Sequence, residues 1–222
     1  MTGDDVPRFT DASFAFFKDL AANNRTDWFD AHRSDFDESV DAPFQAVLVA
    51  LSDRLAYVPV SLRGSKETCF RMRRDVRFTQ DKTPYVLNRS ALLTRSGRKT
   101  EAGPVFYLQF ASGGGMMFCG FHALDTASLN PMRRRIVERA DSFDDALVVL
   151  GDAGFSLTRE DQLSTMPSGF EAEKDHRHAD ILKLKTLGVR QVLPRTAWTS
   201  GDVVGRAETM AKATMPLLAF FD

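Results

Sequence analysis

Apolar residues recur at helical spacing near the start of the chain. Phe14, Phe17 and Leu20 share one helical face, with Thr10 before them as a candidate cap. Phe9 ahead of that cap and Phe14 behind it suit a hydrophobic staple. Asn23 and Asn24 favour a helix end, and Asn24 can cap a second helix with Asp27 in its first turn. From Trp28 to Tyr57 the pattern stays helical, with Trp28 and His32 on one face. Pro43 must start a new helix or kink the old one. After it, Phe44, Val47, Leu48, Leu51 and Leu55 form an amphipathic stripe, and Pro59 closes the region.

The period then falls to two. In "CFRMRRDVRF", residues 69–78, Phe70, Met72, Val76 and Phe78 fall on one side of an extended chain. Arg71, Arg73, Asp75 and Arg77 fall on the other, and only Arg74 breaks the alternation, as a bulge or strand end does. "TQDKTP" predicts a turn, "YVLNRSALL" a second strand and "RSGRKTEAGP" a polar loop. "VFYLQFA" and "MMFCGFHA", joined by "SGGG", predict a hairpin. These two strands are apolar on both faces, so they are expected to be central and covered. Helices return from Asp125 to about Ala140, in "SFDDALVVLGDAG" capped by Ser142 and stopped by Gly151, and in "HADILKLKTL" ended by Gly188. A last helix closes the chain, with Pro216 as an expected break. "REDQLSTMPSGFEAEKDH" is the longest irregular stretch, a flap or a covering loop. N-terminal helices, a central and mainly antiparallel meander and C-terminal helices predict an α+β fold, with no linker dividing residues 1–222 into domains.

Composition narrows the function classes. A chain of 222 residues with 43% hydrophobic and 27% charged positions fits a soluble globular protein. Its net charge of -1 argues against whole-protein attraction to nucleic acid or an anionic membrane. That balance hides an asymmetry: residues 71–99 hold nine basic and two acidic side chains, so they carry +7 and the remainder -8. Cys69 and Cys119 sit in apolar surroundings and are expected to be reduced and buried. The start, "MTGDDVPRF", is acidic and lacks the apolar run of a leader, and no window is apolar enough to span a membrane. The expected location is cytoplasmic.

The arginine face carries the candidate chemistry. Four charged side chains on one strand face need water or partners, because an isolated buried charge is very costly. One reading is a solvated edge, or an ion-pair network that docks the N-terminal helices through Asp27, Asp30, Asp35 or Asp37. The other is a concave site for a phosphate or carboxylate, which the rigid fork of arginine suits, with Asp75 orienting its neighbours. In "DKTPY" the proline presets a turn that fixes Asp81 and Lys82 beside Tyr85. The ligand-binding candidates are Arg71, Arg73, Asp75, Arg77, Lys82 and Tyr85, and Asp81 and Lys82 are candidate acid or base. The expected partner is a small anion; nucleic acid held by the basic 71–99 segment, or a protein docked on the charged face, are the alternatives. His176 and His178 lie close together in a polar loop without a further ligand nearby, so no metal and no cofactor is expected. His122 ends a strand and can face the arginine site. "ASGGGMMF" is no phosphate-binding loop, since a strand follows it, and there is no G-x-S-x-G elbow and no paired C-x-x-C.

Four stretches occur together in order: "FFKDLAANNRTDWFDAHRSDF", "RRDVRFTQDKTPYV", "GFHALDTASLNPMRRRI" and "PSGFEAEKDHRHADILKLK". This arrangement resembles the family called domain of unknown function 2461, a conserved hypothetical protein of bacteria and fungi. The pattern R-D-x-R-F-x-x-D-K-x-P-Y is its most specific part, matched by Arg74, Asp75, Arg77, Phe78, Asp81, Lys82, Pro84 and Tyr85. The family often carries a basic residue where Val86 stands, and a proline in the segment that here reads "DHRHAD". The resemblance implies boundaries near the ends of the chain and a marked site, but no reaction.

Overall fold

Residues 9–101 and 103–222 are described by the computed structural model; positions 1–8, with the acidic start of the chain, lie outside them. Helix α1 (Asp11–Ala22) begins as its sequence predicts, with the Ser13 hydroxyl accepting from the Thr10 N–H at 3.0 Å. The two staple rings meet on a third, Phe110, with centroids 4.4 Å from Phe9 and 5.0 Å from Phe14. Helices α2 (Thr26–Ala31) and α3 (Arg33–Phe36) follow, then a π-turn at Asp37–Asp41 leads directly into α4 (Ala42–Arg54). Pro43 explains the wide turn. Its ring excludes a hydrogen bond to, and presses on, the carbonyl four residues earlier, and one turn of π geometry relieves both.

The sheet has four antiparallel strands in the order β1 (Asn88–Leu93), β2 (Val105–Ala111), β3 (Gly114–Phe121) and β4 (Leu187–Pro194). Between β3 and β4 run α5 (Thr126–Glu138), α6 (Ala140–Asp152) and the short α7 (Ala179–Leu182). After β4 come α8 (Arg195–Thr199) and α9 (Val203–Phe220). The alternation along β2 decides which face is which. Phe106, Leu108 and Phe110 are fully buried, together with Met117 and Cys119 of β3 and Leu193 of β4. That face is covered by α4, α8 and α9, and α6 packs behind α9. Trp198 fills the centre, 4.9 Å from the rings of both Phe9 and Phe110. No described helix is long and apolar enough to cross a membrane.

The α+β architecture is as the sequence predicts, and several elements differ from expectation. The segment 69–78 is not a strand: it makes isolated bridges only, at Cys69 and Arg73. Of the predicted ten-residue helix 178–187 only the four residues of α7 form, and the unexpected strand β4 begins at its last position, Leu187. Helix α6 starts at Ala140, before the expected cap at Ser142. Helix α9 continues through Pro216, because its buried faces, including Val204, Met210, Ala211, Leu217 and Leu218, hold both halves on the core. The expected covering of β2 and β3 on both faces is met on one face only.

Candidate functional site

Residues 69–74 run antiparallel to 84–91 as an irregular extension beyond β1. Cys69 lies opposite Ala91 and Arg73 opposite Tyr85. The Phe70 N–H donates to Ser90 O at 2.8 Å, and the Val86 N–H to Met72 O at 2.9 Å. Between these contacts the register slips, so that residues 87–89 face Arg71 alone, a bulge that re-aims the side chains on both sides of it. Met72 turns into the core while Arg71 and Arg73 stay exposed, as the alternation predicts. Phe70 and Phe78 do not follow Met72: they are 40% and 92% exposed.

The tip of this hairpin is held by its own charges. Arg77 grips Asp75 with two parallel hydrogen bonds, at 2.9 and 2.7 Å, which holds the Asp75 carboxyl below its ordinary range. Arg74 pairs with Asp81 and donates to the Thr83 hydroxyl at 2.6 Å. Asp81 also accepts from the Thr83 N–H at 2.9 Å, and Arg74 first, then Thr83, lower its pKa to about 2. The Lys82 amine donates to Val76 O at 3.0 Å. Arg71 and Arg73 alone of the four hairpin arginines have no hydrogen bond or ion pair among the described residues; Arg71 lies near enough to Asp75 to help hold it ionised.

Tyr85 does not join them. Its ring is buried and stacks on Phe29 at 4.2 Å, so it anchors the hairpin to the N-terminal helices. Asn24 completes the anchor: its amide donates to Tyr85 O and its oxygen accepts from the Tyr85 N–H, both at 3.0 Å. This clamp takes the place of the expected cap on α2. A second anchor is ionic. Arg89 is buried, meets Asp41 at 2.5 Å and donates to Phe70 O at 2.6 Å. One basic residue of the 71–99 segment therefore does pin the N-terminal helices to the sheet, but through Asp41 rather than Asp27, Asp30, Asp35 or Asp37. A charged residue inside an apolar strand was the signal; its partner, 48 positions earlier, was not legible.

The uncovered face of the sheet forms the floor of a cleft of about 630 Å³. Leu92, Tyr107, Phe118 and Arg190 are successive cross-strand neighbours on this floor, and Ser90, Gln109, Met116 and Val192 form the next row. Gly120 and Gly188 face each other across β3 and β4, and a Cβ on Gly188 would meet the edge of the Phe118 ring at 2.5 Å. The missing side chain at Gly188 leaves room for that ring. Phe70 stands at one wall, and the irregular stretch bearing Thr158, Glu160 and Asp161 at another. The Tyr107 hydroxyl donates to Gln109 Oε1 at 2.8 Å, and burial raises its pKa. His122 and Leu124 lie on the rim, on either side of Ala123, whose φ of +46° puts a non-glycine residue in the left-handed region. That conformation costs about 1–2 kcal/mol. It is held by the Thr186 hydroxyl, which accepts from the Ala123 N–H at 3.1 Å. None of the seven ligand or acid–base candidates from sequence lines this cleft; His122, expected to face the arginine site, lines it instead.

A family model described as "Conserved hypothetical protein (DUF2461)" matches residues 12–220. The chain belongs to the DUF2461 family. No curated protein and no solved structure is significantly similar to it. The arginine hairpin and the open-faced sheet both lie inside the DUF2461 span, so the family unit contains both regions.

Proposed function

We propose that this DUF2461 protein recognises a small anionic ligand, phosphate- or carboxylate-bearing, through Arg71 and Arg73. The observation that supports this reading is the division among four neighbouring arginines: Arg74 and Arg77 are locked on Asp81 and Asp75, while the guanidinium groups of Arg71 and Arg73 have no partner among the described residues. Two such forks on a hairpin braced from within suit an oxyanion, since the backbone that carries them is ordered before the ligand arrives. Asp75 and Asp81 brace the hairpin. An aspartate with a pKa of about 2 is a poor proton carrier at neutral pH, which favours binding over acid–base work at Asp81. Calorimetric titration with inorganic phosphate, citrate and a nucleoside triphosphate at fixed ionic strength tests the reading. An Arg71→Ala, Arg73→Ala double variant should lose the binding while keeping the wild-type Tm. Equal binding by wild type and double variant defeats it.

One observation favours a second reading. Phe78 is 92% exposed, with the Arg77 guanidinium 5.5 Å from its ring centre. An exposed ring among cations suits a stacked base, and hence single-stranded nucleic acid. In that case Phe78→Ala weakens binding of an oligothymidylate, affinity falls steeply with salt, and free phosphate does not compete.

A further inference from the structure

We infer that the cleft on the open sheet face binds a flat, uncharged heteroaromatic molecule of two or three fused rings with polar atoms at both ends. This site is separate from the anion site and does not rest on it.

The charges come first. Of the charged side chains around the cleft, Arg190 pairs with Glu160, Asp161 with Lys185 at 3.2 Å, and Glu101 accepts from the Ser96 N–H at 2.6 Å. Arg190 and Asp161 are answered by opposite charges and Glu101 only by neutral donors of Ser96, so an anionic ligand finds no free lysine or arginine among the described lining residues. The floor is aromatic and apolar, with the partly exposed Tyr107 beside the buried Phe118 at its centre and Leu92 next to Tyr107. Offset stacking on such a floor rewards a planar ring system more than a flexible chain. Phe70 adds a partly exposed ring at the wall, its centre 6.3 Å from that of Tyr107.

The polar groups sit at two ends. Gln109 has its oxygen occupied by Tyr107, which leaves its amide nitrogen without an acceptor among the described residues. At the other end Thr186 is buried and its oxygen accepts from Ala123, so its own proton has no acceptor among the described residues. A buried hydroxyl with an unused donor facing a cavity calls for a ligand acceptor or a water. The strained Ala123 holds His122 and Leu124 at this same end, and backbone strain of this kind clusters at ligand clamps. Gln109 lies level with Val192 of β4, and Thr186 comes six residues before Val192, so the two ends are about 20 Å apart along the strands. The two side chains and a hydrogen bond at each end take up about half of that length, which leaves room for two or three fused rings, and the cleft volume lies in the range of small-molecule sites.

The test uses the full chain and three neutral probes: lumiflavin, adenosine and biopterin. In nitrogen–proton spectra, at least one probe should saturably shift the Gln109 side-chain amide together with the backbone amides of Phe118 and Ala123. Gln109→Leu should weaken that probe about tenfold, the effect of one lost neutral hydrogen bond. Met116→Trp, which fills the floor from a partly exposed position, should abolish binding. The Arg71→Ala, Arg73→Ala variant should bind as wild type does, which separates this site from the anion site. The inference is overturned if no probe shifts these resonances at millimolar concentration, or if both cleft variants bind like wild type. It is also overturned if sedimentation shows a dimer that Met116→Trp dissociates, since the face would then be covered by a second copy.

Discussion

Removing either partner of the Arg89–Asp41 pair should unfold this protein at a markedly lower temperature. The two side chains are 8% and 13% exposed and 2.5 Å apart. Arg89 Nη2 meets Asp41 Oδ1 without an aligned hydrogen bond, and Arg89 Nε has no partner among the described residues, so the pair meets as charges. Gln45 supports the carboxylate from α4, donating to Asp41 Oδ2 at 2.6 Å, and Arg89 also holds Phe70 O. Truncating one member leaves the other buried and uncompensated, a loss of about 3–5 kcal/mol. Unfolding entropy is about 2.1 cal/mol/K per residue. For 222 residues that is ~470 cal/mol/K, so each kcal/mol moves Tm by about 2 °C. Asp41→Ala and Arg89→Ala should therefore each lower Tm by about 6–11 °C in scanning calorimetry. The double replacement Asp41→Leu, Arg89→Met strands no charge and should lose far less than the sum of the single changes. A loss near 2 °C for each single variant, or strict additivity in the double, would show that the pair behaves like a surface pair and that the reasoning is wrong.

Three further outcomes are expected. The Asp81 carboxyl has its folded pKa depressed to about 2 from 3.8, so its contribution to the hairpin is fully present above pH 3.8 and fades as pH falls through 2; carboxyl-carbon NMR of Asp81 should show this midpoint, rising toward 3.8 in Arg74→Ala. Burial pushes the Cys119 thiol up to about 12 and raises that of Cys69, so iodoacetamide at pH 8 should label neither in the native protein and both after denaturation, as read by mass spectrometry. Asn24→Ala removes both side-chain hydrogen bonds to the Tyr85 backbone and should cost about 1–3 kcal/mol, with faster hydrogen exchange at the Tyr85 amide.

What the sequence disclosed was local. The Thr10 start of α1, the Asp125 cap of α5, which accepts from the Ser128 N–H at 2.8 Å, and the β2–β3 hairpin each follow from residues a few positions apart. The exposure of Arg71 and Arg73 beside a buried Met72 is also an alternation effect, and it survives without a regular strand. Strand β4 was hidden because Leu187, Val189 and Leu193 follow a stretch of helical spacing, and its pairing with β3 spans more than sixty residues. Tyr85 has a hydroxyl that suits a site, and only the packing of Phe29 and the Asn24 clamp turn it inward. The cleft was beyond reach for a related reason. The apolar character of β2 and β3 shows on both faces, and which face stays bare depends on where α4, α8 and α9 dock.

The central claim, anion recognition by Arg71 and Arg73, is tested most directly by following the arginine side-chain Nε resonances while inorganic phosphate is added at constant ionic strength. The account predicts that Arg71 and Arg73 shift together along one saturable curve, while Arg74 and Arg77, held by Asp81 and Asp75, stay in place. All four moving weakly, in parallel and without saturation would mean non-specific screening of a charged surface and would contradict it.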